Sequence, residues 1–166
     1  MKTLIRTLLM LALIVWLGAE IFFPVVAAVT FTTLKPDTHV AGLIVGELLR
    51  LLHVAGMIAG VVLLALLALA PAWGIFKSRS VLAPMGLVLL MLALTAYSQF
   101  GIIPAMERDR QAARGGVIDS LPFDDPSRVH FEVLHKRSVN VEGAVVVLGI
   151  AVVALVAYGE SAARRV

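Results

Sequence analysis

The chain has 166 residues, of which 60% are hydrophobic and only 15% charged, more apolar surface than a soluble domain of this size could bury in its own core. Cysteine is absent, which excludes disulfide frameworks, thiolate metal sites and thiol nucleophiles and leaves histidine and carboxylate as the available metal ligands. The net charge of +3 comes from Lys and Arg scattered over termini and loops, not from one basic stripe, so nucleic acid is not an expected partner.

The first apolar run covers residues 7–29, interrupted only by Glu20 and Pro24. It is long enough to cross a hydrocarbon layer of about 30 Å at about 1.5 Å per helical residue. Lys2 and Arg6 precede it as they would in a signal peptide. Leu17 and Ala19 make a poor cleavage site, however, and IFFPVVAAV continues the apolar character, so a retained span is expected.

The second run, Val40 to Phe76, would be about 55 Å long as one helix and must tilt, bend or protrude. Its membrane part is expected over residues 48–76, with Glu47 and Arg50 near a headgroup region and Trp73 as an interfacial anchor. Gly42, Gly46, Leu49, His53, Gly56 and Gly60 recur at alternating four- and three-residue steps. Such a seam lets another backbone approach closely and turns His53 away from lipid.

The third span is expected over residues 81–106, opened by Pro84 and ended around Pro104, with Thr95, Tyr97, Ser98 and Gln99 late in it. A polar connection follows over residues 107–138, where Gly-Gly, Leu-Pro and Asp-Asp-Pro mark turns in water. The fourth span is expected over residues 139–158. If its helix begins early, Phe131, His135, Ser138, Glu142, Val145 and Gly149 share one face.

The fold class is therefore all-α: one integral membrane domain, a four-helix transmembrane bundle with the lipid bilayer as its surroundings. Four spans put both termini on one side. Lys2, Arg6, Lys77, Arg79, Arg164 and Arg165 flank that side; Lys35 and the basic residues of the long connection flank the other. The tally is nearly balanced, so the first span with Lys2 and Arg6 decides, and cytoplasmic termini are expected.

Alternating chain direction brings Glu20, Glu47, Arg50, His53, Tyr97, Gln99, His135, Ser138, Asn140 and Glu142 into the same half of the bilayer. An ionisable side chain in hydrocarbon costs about 2.5 to 3.5 kcal/mol on insertion scales unless something compensates it. Glu47, Arg50, His135 and Glu142 have a plain alternative, snorkelling at headgroup level. Glu20 does not: it lies roughly 20 Å into its span, where a buried ion pair or hydrogen bond is expected. His53 suits structural glue between helices or a ligand or proton role. A metal site from His53, His135 and a carboxylate would suit zinc or copper(II), but no HxxxH or HxxE spacing supports it. Haem between the two histidines is disfavoured because His135 is expected outside the hydrocarbon, and no cofactor is assigned. No nucleophile and base pair, phosphate loop or catalytic carboxylate pair indicates an enzyme.

WLGAEIFFPVVAAVTFTTL, AGLIVGELLRLLHVAG, YSQFGIIPAMERDR and FEVLHKRSVNVEGAVVVLGI together resemble the bacterial family of membrane proteins related to transmembrane protein 205. The resemblance implies four helices in a bacterial inner membrane. Phe131, Leu134, His135, Ser138, Asn140, Pro104 and Arg108 would be signature positions without an assigned chemical role. Relatives are linked to the handling of metal-containing toxic compounds. The expected function is binding or moving a proton, metal cation or small polar solute through the polar cluster. The alternative is an accessory subunit whose glycine seam docks on a membrane protein partner or on a second copy of the chain.

Overall fold

The computed structural model describes residues 2–164. Arg165, one of the terminal basic residues counted above, lies outside them. The chain forms an all-α bundle of four long apolar rods, each long enough to cross a membrane. They are α1 (Lys2–Thr33), α2 (Thr38–Leu69), a third rod made of α3 (Leu82–Tyr97) and α4 (Ile103–Ala112), and α5 (Pro126–Arg164). At 32 residues, α1 and α2 are each about 48 Å long against a hydrocarbon layer of about 30 Å, so they tilt or extend past it.

Local chemistry sets the ends of the rods. Asp37 caps α2, accepting from the Val40 N–H at 3.0 Å. Asp125 does the same for α5, accepting from the Ser127 N–H at 2.8 Å, with Pro126 at the first helical position where its missing N–H is no loss. The apolar run that extends to Phe76 is not one helix. Pro71 and Gly74, the latter at φ 62°, turn the chain after Leu69, and the Ile75 N–H returns to the Ala70 carbonyl at 3.0 Å. Ile75 and Phe76 are apolar because they tuck into the core, not because they continue a span.

Pro104 does not end the third rod either. Residues Ser98–Ile102 form a π turn, in which the Ile103 N–H reaches the Ser98 carbonyl, and helix resumes through Ala112. The widened turn accommodates a proline that has no N–H of its own to give. Much of the polar connection expected over residues 107–138 is likewise helical, since α5 begins at Pro126. What is left, residues 113–125, is a short run of turns with Gly115 and Gly116 at φ 65° and 74°.

The core lies in the half of the bundle that holds the start of α1 and the end of α2. Leu9, Leu13 and Trp16 meet Leu63 and Leu67, Val88 and Met91, and Val145, Val152 and Val156. Trp16 lies across Gly56 and Gly60, where a Cβ would come within 2.7 Å of its ring atoms. The glycine seam of α2 thus receives an indole of its own chain. Outward faces carry residues such as Leu11, Ile14, Leu51, Ile58 and Val147, a surface suited to lipid and not to water.

Candidate functional site

Above that core the bundle changes character. His53, fully buried on α2, places Nδ1 3.0 Å from Gln99 Oε1 and Nε2 2.9 Å from Glu142 Oε1. Ser98 donates to the same Glu142 oxygen at 2.9 Å. The π turn is what lets consecutive residues Ser98 and Gln99 serve one cluster. His53 thus has a partner at each ring nitrogen, the Gln99 amide on one side and the Glu142 carboxylate on the other.

Glu20 joins from α1, only 2% exposed, with electrostatic reach to both Glu142 and His53. The Trp16 indole N–H, one helical turn away, lies beside the Glu20 carboxylate without meeting the geometry of a full hydrogen bond. Glu20 Oε1, Glu142 Oε2 and Thr95 Oγ1 are buried with no hydrogen-bond partner among the described residues. Buried polar atoms are rarely left so, because each forfeits its hydration without return. Two of them, on the neighbouring carboxylates Glu20 and Glu142, mark a place where a ligand, a proton or water completes the bonding.

Glu20 and Glu142 also line a cavity. It has a volume of about 990 Å³, with the two carboxylates at its floor. Phe23, Pro24, Leu43, Leu49, Ile103 and Val146 supply apolar wall, and Thr38, His39, Glu107, Arg110 and Asp119 stand toward the connection. Gly46 and Gly143 also line it, and a Cβ at either would meet nothing within 4 Å. On the other side of the floor the packed core closes the bundle.

Arg110 crosses the mouth. It pairs with Glu107 at 3.3 Å, sits 5.5 Å over the Phe131 ring, and comes to 3.6 Å from where a Gly42 Cβ would lie. The 113–125 connection is held down beside it, as Thr38 donates to Asp119 at 2.9 Å. Arg128 donates to the carbonyls of Leu121 at 2.7 Å and Asp119 at 3.2 Å while stacking 4.1 Å from the Phe123 ring. Ile118, a residue of this strap, is buried and lines the cavity.

The other residues singled out in the sequence separate into wall and periphery. His135 and Ser138 line the cavity, Ser138 buried and His135 exposed. Glu47 and Arg50 pair with each other at 3.2 Å on the rim, Glu47 largely exposed. Tyr97 faces outward and accepts from Arg137 at 3.2 Å, and Asn140 is exposed. Trp16 and Arg110 were not singled out in the sequence, although Trp16 shares a helix face with Glu20 at i, i+4 spacing. Among the described residues no group of three or more His, Asp or Glu side chains is arranged to hold a metal ion.

Residues 11–114, well over half of the chain, match the family model of a domain of unknown function, DUF4149. The matched stretch runs from within α1 to just past α4 and so contains Glu20, His53, Ser98 and Gln99 but not Glu142. No curated protein and no solved structure matches the chain.

Proposed function

The chain belongs to the DUF4149 family, a membrane four-helix bundle, and from that premise we propose that it binds a small solute with a cationic or protonatable group at the Glu20–Glu142 floor of its cavity, in front of the buried His53. The observation that carries this reading is the pair of buried carboxylate oxygens, Glu20 Oε1 and Glu142 Oε2, left without partners on two residues that line the cavity. Carboxylates are acceptors when ionised, so the missing partner is a donor or a positive charge. Access from one side, with the core closing the other, fits a binding state that faces the 113–125 connection. A step in solute movement across the membrane is the role we assign to that state. Kinship with transmembrane protein 205, residence in a bacterial inner membrane and cytoplasmic termini belong to the same proposal.

Docking through the glycine seam is the weaker reading, because Trp16 of the same chain already occupies Gly56 and Gly60. Trp16 also provides the test. In W73F protein it is the sole tryptophan, and it sits beside Glu20. Ethylammonium chloride should change its fluorescence saturably in lipid nanodiscs, sodium acetate should not, and E20Q should abolish the response. An equal response to acetate, or an undiminished response in E20Q, rejects the proposal.

A further inference from the structure

Resting on the reading above, we infer that the solute is an amphipathic amine, its ammonium group held between Glu20 and Glu142 and its apolar body laid along the cavity wall. The charge inventory comes first. The floor has two carboxylates, Glu20 and Glu142, and behind it the buried His53 bonds to Glu142. The two arginines on the wall are engaged above it, Arg50 with Glu47 and Arg110 with Glu107. With both carboxylates ionised, one is left without a counter-charge at a depth where an unpaired charge is costly. An ammonium group supplies both the charge and the N–H donors that Glu20 Oε1 and Glu142 Oε2 lack.

The wall then selects what the ammonium is attached to. A bare cation stripped of water needs several oxygen ligands, and no metal-holding group exists among the described residues. A hydrated one gains nothing from Phe23, Pro24, Leu43, Leu49, Ile103 and Val146. An apolar body does, because each contact removes its surface from water, and the Phe23 ring, one turn along α1 from Glu20, is part of the same wall. The volume of about 990 Å³ is at the upper end of the roughly 300 to 1,000 Å³ typical of organic-ligand sites and far beyond the needs of an inorganic ion. The open space at Gly46 and Gly143 keeps the middle of the cavity wide, which a compact ion does not require.

The same chemistry is carried by a free amphipathic amine and by an aminophospholipid. W73F protein in phosphatidylcholine nanodiscs is titrated with 1-adamantylammonium, ethylammonium and the uncharged 1-adamantanol while Trp16 fluorescence is followed. Adamantylammonium should saturate at a concentration about tenfold or more below ethylammonium, as expected when an added hydrocarbon body is buried. Adamantanol should give no saturable response. The adamantylammonium response should vanish in G143F, whose side chain fills open space in the cavity, and survive in G86F, where the added side chain is on an outward face of α3. Equal affinity for the two cations, saturable binding of adamantanol, or full binding by G143F overturns the inference and leaves the cation site standing. Silence toward both cations removes the site as well. Weakening of the response when phosphatidylethanolamine is added to the nanodiscs supports the lipid as source, and an unchanged response supports a free amine.

Discussion

His53 on α2 and Glu142 on α5, 89 positions apart in the chain, meet at 2.9 Å in the middle of the bundle. Because the other imidazole nitrogen engages Gln99 in the π turn, one side chain ties three rods together. Replacing His53 with Ala leaves Glu142 with Ser98 as its remaining donor and takes away the partner of the Gln99 amide. A neutral hydrogen bond between membrane helices is worth at most about 1.7 kcal/mol, whereas orphaning one member of a buried ion pair costs about 3 to 5 kcal/mol. The H53A, E142A and double variants, unfolded in mixed micelles, should give a coupling energy of about 0.5 to 3 kcal/mol. Additivity within about 0.5 kcal/mol would mean that the two side chains do not depend on each other.

Trp16 and Gly60 make a second, purely steric pair. A Cβ on Gly60 would lie 2.7 Å from one ring carbon of Trp16 and 2.6 Å from Leu92 Cδ2, and one on Gly56 would lie 2.7 Å from Trp16 Nε1. Overpacking of this kind costs about 1 to 3 kcal/mol. Thus G56A and G60A should each lower stability by that order. W16L, destabilising in the wild-type background, should recover a good part of the loss in G56A, whose crowding comes from the indole alone. An equal penalty for G56A with and without the indole would show that the two residues do not touch.

How much of this was legible in the sequence depends on which distances the chain itself fixes. Rod existence follows from run length and hydropathy, so the four spans and the all-α class can be read directly. Depth follows from counting residues along alternating rods, which is why Glu20, His53, Gln99 and Glu142 could be assigned to one half of the bilayer. Rotation about each rod is less constrained. Nothing local to Tyr97 or Asn140 distinguishes them from Ser98 and Glu142, yet the first pair is exposed while Ser98 bonds to Glu142. The cavity is illegible for a further reason: space between helices is set by crossing geometry, which no single rod encodes. Proline also misled. Pro104 resembles a stop, but a preceding π turn absorbs it, whereas Pro71 with Gly74 ends a run that looks continuous by hydropathy.

Arg128 is the pin of the connection. It has two backbone carbonyls, the Phe123 ring and, at 3.5 Å, the Glu132 carboxylate around one planar guanidinium. R128A should therefore free residues 113–125, seen as hydrogen exchange faster by about tenfold or more there, with α1 to α3 unaffected. R128K should rescue poorly, because an ammonium keeps the charge but not the fork or the flat stacking face. Full protection in R128K would show that charge alone holds the strap.

The absence of cysteine makes a direct test of the cavity practicable, since any introduced thiol is the sole reactive one. A side chain at Gly46 or Gly143 enters open space, so G46C and G143C should fold normally. Val88, fully buried in the closed half, is the control position. Floor carboxylates without a matching cation should concentrate positive reagents and repel negative ones. A field of this kind changes encounter rates by about 10 to 1,000-fold when focused in a low-dielectric cleft. Methanethiosulfonate ethylammonium should thus modify G46C and G143C at least tenfold faster than the ethylsulfonate analogue, and E20Q should shrink the ratio. V88C should resist both reagents. In sealed cells the same two positions should report which face of the membrane the cavity opens to, with S78C and D124C marking the two sides. Equal rates for the two reagents at G143C would show that the floor has no net negative field, and the charge argument for an ammonium ligand would fall with it.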